Sequence, residues 1–253
     1  DREGEYRSFR LTSLSALLVS IVFFLLSFIA PSFIMGLYSR DSEAIAVASS
    51  YLRIVSFSFI PMTLTLMASA SLRCNDKAKL PMYATFFSVI LNTLLNYVFI
   101  FILRKGAEGA AVATVISQVV ATVVVLCFGS RYLPSRTSSQ ERGDYFPSFI
   151  KILLPVMVCE SLWSLGENVY GGVYGHISTA AAAAMVLSYP VQNIMIGALT
   201  GISQAAGIMV GKLLGNKEYN EAKALGKKLV KYGALGSIMI SILIVLTRSE
   251  YLT

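Results

Sequence analysis

An all-α bundle of membrane-spanning helices is the fold class that this 253-residue sequence predicts, and three observations predict it. Hydrophobic residues make up 55% of the chain and charged residues 14%, whereas a soluble domain carries about 25% charged residues. Mean hydropathy is +0.67. Uncharged runs such as Leu11 to Tyr38 and Leu80 to Leu103 exceed the roughly 20 residues that cross a bilayer.

Seven segments satisfy that length rule in chain order: Leu11–Tyr38, Ala44–Leu72, Leu80–Leu103, Ala107–Leu133, Phe149–Tyr174, Ala180–Leu214 and Val230–Leu246. Those longer than the hydrocarbon core must tilt, kink or emerge into water. Pro31, Pro61, Pro155 and Pro190 are the candidate kinks, because proline removes a helical N–H and clashes with the preceding turn. Tyr and Phe are plentiful near segment ends, as interfacial belts require; Trp163 is the sole Trp.

The basic residues alternate with the segments. Arg2, Arg7 and Arg10 precede the first; Arg73, Lys77 and Lys79 join the second to the third; Arg131, Arg136, Arg142 and Lys151 lie between the fourth and fifth. Lys212, Lys217, Lys223, Lys227, Lys228 and Lys231 lie between the sixth and seventh. These are 16 of the 21 basic residues, so this side is expected to be cytoplasmic, with the N-terminus inside and the C-terminus outside. The net charge of +7 is thus a topology signal. Nucleic-acid binding is excluded as a reading, since the basic residues are spread between apolar spans and form no binding face.

Cys74, Cys127 and Cys159 form no close pair, which argues against both a disulfide framework and a zinc site. Gly211-Lys212 lacks a following Ser or Thr and no strand precedes it, so there is no phosphate-binding loop. Neither a cofactor nor an enzymatic activity is expected: the lone His176 falls in a loop, and no nucleophile–base or metal cluster is visible. Gly197-x3-Gly201 and Gly207-x3-Gly211-x3-Gly215 are small-xxx-small patterns that permit close helix packing.

Asp1-Arg2-Glu3 and Asn216-Lys217-Glu218, 215 positions apart, each lead through a basic amphipathic stretch into a span. Both fall on the expected cytoplasmic side, which suits two parallel repeats, a common transporter plan. A six-helix repeat places the first visible span third in its half, so two helices are expected before Asp1 and about three after Thr253. The expected organisation is an amino-terminal lobe over 1–133, a cytoplasmic linker over 134–146 and a carboxy-terminal lobe over 147–253. The stretch Pro134 to Tyr145 is the longest polar segment and has linker composition.

Polar groups inside spans carry the functional signal, because each needs a partner or water. Ser88, Asn92 and Asn96 recur every four residues and share a helical face; Thr114 and Gln118 do the same on the next span. Such a stripe either binds neighbouring helices or lines a wet cavity, and the two amides of Asn92 and Asn96 leave both readings open. On the fifth span Glu160, Trp163 and Glu167 are spaced i, i+3, i+7, with Asn168 beside them. An ionised carboxyl in a bilayer costs several kcal/mol unless compensated, and a carboxyl that exchanges a proton for a cation does the chemistry of coupled antiport. Trp163 offers a face on which a planar organic cation can stack. Glu160 falls near mid-membrane at about 1.5 Å of rise per residue.

Several landmarks occur in order: Tyr51-Leu52-Arg53-Ile54, Leu72-Arg73, Lys79-Leu80-Pro81-Met82, the run Leu91-Asn92-Thr93-Leu94-Leu95-Asn96, and Gly109-Ala110-Ala111-Val112-Ala113-Thr114. Leu162-Trp163-Ser164-Leu165-Gly166 and Val210-Gly211-Lys212-Leu213-Leu214-Gly215 complete the set. Together they resemble the multidrug and toxic compound extrusion (MATE) family over nearly the whole chain. The resemblance implies helices 3 to 9 of a twelve-helix, two-lobe antiporter that exports small organic cations in exchange for H⁺ or Na⁺ by alternating access. It implies a multi-pass protein of the inner (plasma) membrane, monomeric at full length, with the bilayer and a small organic cation as its partners.

It further implies that Asn92, Asn96 and Thr114 match polar cation-site positions of the amino-terminal lobe, with Asn96 where many relatives carry Asp. Glu160 resembles a membrane Glu of the carboxy-terminal lobe. The candidate ion- and substrate-binding set is therefore Asn92, Asn96, Thr114, Gln118, Glu160, Trp163, Glu167 and Asn168. Two alternatives stand beside the antiporter. One is a lipid-linked oligosaccharide flippase of the same superfamily, for which Arg53 is the available intramembrane cation. The other is a non-transporting membrane scaffold, in which the polar residues meet other helices in dry contact.

Overall fold

The computed structural model describes residues 2–38, 41–134, 145–177 and 179–251, and among them every regular element is helical. The elements are α1 (Arg2–Ile29), α2 (Pro31–Gly36), α3 (Ser42–Val55), α4 (Phe59–Cys74), α5 (Lys79–Asn96), α6 (Gly106–Gly129), α7 (Tyr145–Ile177), α8 (Thr179–Gly215) and α9 (Tyr219–Tyr251). Six spans among the described residues are long and apolar enough to cross a membrane: Gly4–Ile29, Ser42–Cys74, Lys79–Ile102, Gly106–Tyr132, Phe149–Gly171 and Gln192–Gly215. They match six of the seven expected segments. The seventh, 230–246, lies within α9, where the side chains of 243–250 are outside the described set. The expected linker, 134–146, lies outside the described residues over 135–144, as does Asp1 of the first repeat copy.

Local chemistry explains the helix ends. Pro31 separates α1 from α2, as expected of a residue without an N–H. The Asp41 carboxylate caps α3 by accepting from the Glu43 N–H at 3.0 Å. A 3₁₀ turn, Ser56–Ser58, joins α3 to α4 just before Pro61. Ser56 and Ser58 hydroxyls fold back onto the carbonyls of Arg53 and Val55, each at 2.7 Å. Pro155 and Pro190 behave differently, since α7 and α8 run through them unbroken. The turns after α4 and α8 are built alike. Lys77 N–H donates to Leu72 O at 2.8 Å and Glu218 N–H to Leu213 O at 2.9 Å, with Asp76 (φ 58) and Lys217 (φ 64) in the left-handed region. Both are Schellman closures that lack the usual glycine.

The chain divides into two compact units, Asp1–Cys159 and Glu160–Thr253. In the first, α6 is central and packs on α3, α4 and α5, while α1 packs mainly on α4. Buried positions are small or polar: Ser20, Ser27, Ser49, Ser58, Ser69, Ser88, Ser117, Ala111, Ala113 and Ala121. Large apolar side chains point outward, with Ile29 70%, Phe33 72% and Phe101 70% exposed. This inversion of a soluble protein is what lipid demands: tails solvate Leu and Phe as well as a core does, so helices associate through small residues that let backbones approach. Ser13, Ser20 and Ser27 recur every seven residues on α1, Ser13 half-buried and the other two buried. Leu72, fully buried, is the largest member of a cluster with Ala68, Ala84 and Val125. Gly129 makes room for it, since a Cβ there would lie 2.9 Å from Leu72 Cδ1. In the second unit α8 packs on α9, and a Cβ at Gly197, Gly201, Gly207, Gly211 or Gly215 meets nothing within 4 Å. The small-xxx-small face of α8 is therefore open among the described residues.

Candidate functional site

The α5–α6 hairpin positions the first set of polar groups. After Asn96 the helix widens into a π-turn, Tyr97–Ile102, where Leu103 N–H reaches Val98 O at 2.9 Å and Lys105 N–H reaches Phe99 O at 2.9 Å. Such turns are uncommon and concentrate at functional sites. Gly106 (φ +53) then reverses the chain in a conformation that favours glycine. Gly109 lets α6 return against α5, because a Cβ there would sit 2.9 Å from Phe99 Cβ and 3.1 Å from Phe99 O. Close approach of the two backbones brings the amides of α5 onto the hydroxyls of α6.

The resulting hydrogen bonds have one direction. Asn96 Nδ2 donates to Asn92 Oδ1 at 3.0 Å. Asn92 Nδ2 donates to Ser117 Oγ at 3.2 Å and, at the limit of hydrogen bonding, to Thr114 Oγ1 at 3.5 Å. Thr114 and Ser117 spend their own protons on the carbonyls of Ala110 and Thr114, each at 3.0 Å. Ser88 Oγ donates to Ser117 O at 2.9 Å. The chain of donors leaves Asn96 Oδ1 buried with no partner among the described residues. A buried acceptor without a donor costs about 1–3 kcal/mol; the hydroxyls of Ser13, Ser20 and Ser49 are also without a partner among the described residues, and the Asn96 oxygen can accept from a water or a ligand donor or face a cation. As an amide it binds such a group without itself taking up a proton.

Gln118, half-buried, extends the α6 stripe, and Thr122 lies one step further along it. Thr122 Oγ1 is 2.8 Å from Thr65 Oγ1, from Pro61 O and from Gln118 O. Its hydroxyl has one proton for two carbonyls, and it pins α6 to α4 beside the proline. Neither Ser117 nor Thr122 was among the expected residues. The four-residue spacing of Thr114 and Gln118 continues to Thr122, whereas Ser117 lies three residues after Thr114 and outside that series.

The second set stands on α7 within the second unit. Glu160, Trp163, Glu167 and Asn168 are all exposed, Trp163 by 63%. Asn168 Nδ2 donates to Ser164 O at 2.8 Å. The structure thus brings Asn92, Asn96 and Thr114 together in one hydrogen-bonded group and presents the α7 set as an open helical surface. No group of three or more metal-binding side chains is found among the described residues. Arg53, exposed on α3, donates from Nε to Phe28 O at 3.3 Å and lies 5.5 Å from the Phe28 ring. It thus serves the end of α1, where Pro31 interrupts the helix.

A cavity of about 570 Å³ opens in the first unit between α1, α4 and the first turns of α7. Val19, Phe23, Met62, Met67, Leu153 and Met157 give it an apolar wall, and none of the expected site residues lines it.

A family model described as MatE matches residues 2–98 and 155–253. The chain is 23% identical over 215 residues to Protein DETOXIFICATION 43 of Arabidopsis thaliana, covering 83% of the chain and 39% of that protein. It is 31% identical over 170 residues to Multidrug and toxin extrusion protein 1 of Danio rerio, covering 63% and 28%. It is 24% identical over 228 residues to Probable multidrug resistance protein NorM of Bacillus cereus, covering 83% and 49%. The chain thus spans less than half the length of each of these relatives. Among solved structures it resembles a MOP superfamily transporter from Pyrococcus furiosus, whose binding pocket of reverse polarity is described as suggesting a different function (TM-score 0.82, 18% identity, 99% of this chain and 56% of that one). It also resembles a MATE crystallised in complex with MaD5 (TM-score 0.79, 18% identity, 99% and 57%).

Proposed function

The chain belongs to the MatE family of membrane transporters, and from that premise we propose that it forms part of a secondary active antiporter. The antiporter exports small organic cations in exchange for H⁺ or Na⁺ by alternating access of two lobes, and it resides in the plasma membrane. The observation that carries the reading is the buried acceptor Asn96 Oδ1 at the end of the Asn92, Thr114 and Ser117 network. A neutral, pre-ordered oxygen of this kind favours a cation and costs little reorganisation when one arrives. Glu160 supplies the negative charge that exchanges a proton or pairs with an organic cation, and Trp163, one turn on, supplies an aromatic face for stacking.

Two features weigh against the flippase reading. Pyrophosphate needs intramembrane cations, and Arg53 is occupied with the Phe28 carbonyl and ring. The acceptor-rich end of the α5–α6 network is also the wrong polarity for an anion. The test is efflux of ethidium from vesicles carrying the protein at its full natural length, under an imposed pH or Na⁺ gradient, with Glu160→Gln for comparison. Gradient-dependent efflux that the substitution abolishes is the expected result. Absence of efflux under both gradients overturns the proposal.

A further inference from the structure

The turn and helix that follow α8 carry a charge pattern that transport does not use. Between Lys212 and Lys231 the sequence holds six lysines and two glutamates. Lys223, Lys227, Lys228 and Lys231 stand on the first turns of α9 and are all exposed. Ala222 is buried to 3% exposure, Leu225 and Leu229 are half-buried, and α9 packs on α8. At about 3.6 residues per turn, the four lysines fall on the arc opposite that packed face. Glu221 flanks the arc, and Glu218 lies in the turn before it; both sit near the helix N-terminus, where its dipole favours acidic groups.

No ion pair or ring contact of these four lysines is found among the described residues. Basic groups elsewhere do have partners: Lys77 Nζ lies 5.0 Å from the Tyr132 ring and Arg131 4.8 Å from the same ring. Directly beyond Lys231 come exposed Tyr232, Leu235, Ile238, Met239 and Ile242. The order along α9 is therefore lysines, an aromatic with a polar tip, then lipid-compatible side chains. That is the order of a helix crossing from water through the headgroups into the hydrocarbon. Lysine stems of this length reach sideways to the headgroup plane.

We propose that the Lys223, Lys227, Lys228 and Lys231 face of α9 binds the headgroups of anionic phospholipids, so that this turn is anchored on the membrane surface. A topology signal requires only that the loop be positive. It does not require four cations on one arc with no ion pair among the described residues, and clusters of four to eight such residues beside a span attract anionic lipid. The inference needs only that α9 enters a bilayer, so it stands or falls separately from the antiport reading.

The test uses the full chain in nanodiscs of equimolar phosphatidylcholine and phosphatidylglycerol. Wild type is compared with a variant carrying all four Lys→Gln changes and one carrying all four Lys→Arg changes, and the lipid retained after purification is measured by mass spectrometry. Wild type and the Arg variant should retain phosphatidylglycerol over phosphatidylcholine by at least about tenfold. The Gln variant should lose that preference at unchanged helix content. Equal retention by the Gln variant, or loss of preference in the Arg variant, overturns the proposal. So does displacement of the lipid by soluble glycerol phosphate, which would assign the face to free phosphate groups.

Discussion

The α5–α6 hairpin and α7 both carry large polar side chains at helical spacing inside apolar sequence, and the structure treats them in opposite ways. Asn92, Asn96 and Thr114 are half-buried and joined by hydrogen bonds. Glu160, Trp163, Glu167 and Asn168 are exposed. The difference lies in what flanks each polar stripe. On α6 the neighbours are Gly109, Ala111 and Ala113, all buried, so a second backbone can close over the amides. On α7 Leu162 and Leu165 are exposed by 62% and 59%, and a Cβ at Gly166, beside Glu167, meets nothing within 4 Å. A polar residue in a membrane helix thus becomes structural where a facing helix with small residues closes over it, and stays available where none does.

The largest expected effect comes from breaking the closed set. Asn92→Ala removes the acceptor for Asn96 and the donor for Ser117, leaving buried polar atoms unpaired. Stability in detergent should fall by about 1–3 kcal/mol, measured by thermal unfolding, and cation efflux should be lost with it. Gly109→Ala attacks the same closure from the backbone. Its new methyl meets Phe99 Cβ and a carbonyl that cannot swing aside, so destabilisation of about 1–3 kcal/mol is expected. Thr122→Val removes the hydroxyl that pins α6 to Pro61 O and Thr65, for a smaller loss of about 0.6–1.7 kcal/mol. The open face should answer differently. Gly211→Ala on α8 meets nothing and should leave stability unchanged or raise it by about 0.5–1 kcal/mol, because glycine is the poorer helix former.

Much of this contrast was legible in the sequence. Uncharged runs placed six spans, Pro31 marked the α1–α2 break, and four-residue spacing put Asn92 with Asn96 and Thr114 with Gln118. Gly109 to Ala113 stood in the sequence only as a landmark of the family resemblance, and its close approach to Phe99 shows in the structure. Other features were hidden because they depend on tertiary partners. Pro61 and Pro155 are the same residue type, yet a 3₁₀ turn precedes only the first, where serine hydroxyls fold back onto carbonyls. The π-turn after Asn96 has no composition of its own. The glycines of α8 read as packing sites, but a glycine stripe packs only where a partner helix meets it, and Gly129, outside any such pattern, is the one that receives Leu72. Thr122 was missed although it continues the stripe, because a lone threonine in an apolar helix satisfies its own i−4 carbonyl as readily as another helix.

The central claim is that the α5–α6 network is a structural and binding unit, whereas the α7 carboxyl is free to act without holding the fold. Its most direct test measures thermal stability and gradient-driven ethidium efflux on the same reconstituted samples of wild type, Asn92→Ala and Glu160→Gln. The account predicts that Asn92→Ala loses both stability and efflux. It predicts that Glu160→Gln loses efflux alone, with an unfolding temperature equal to wild type. Normal efflux in Glu160→Gln, or a stability loss there as large as in Asn92→Ala, would contradict it.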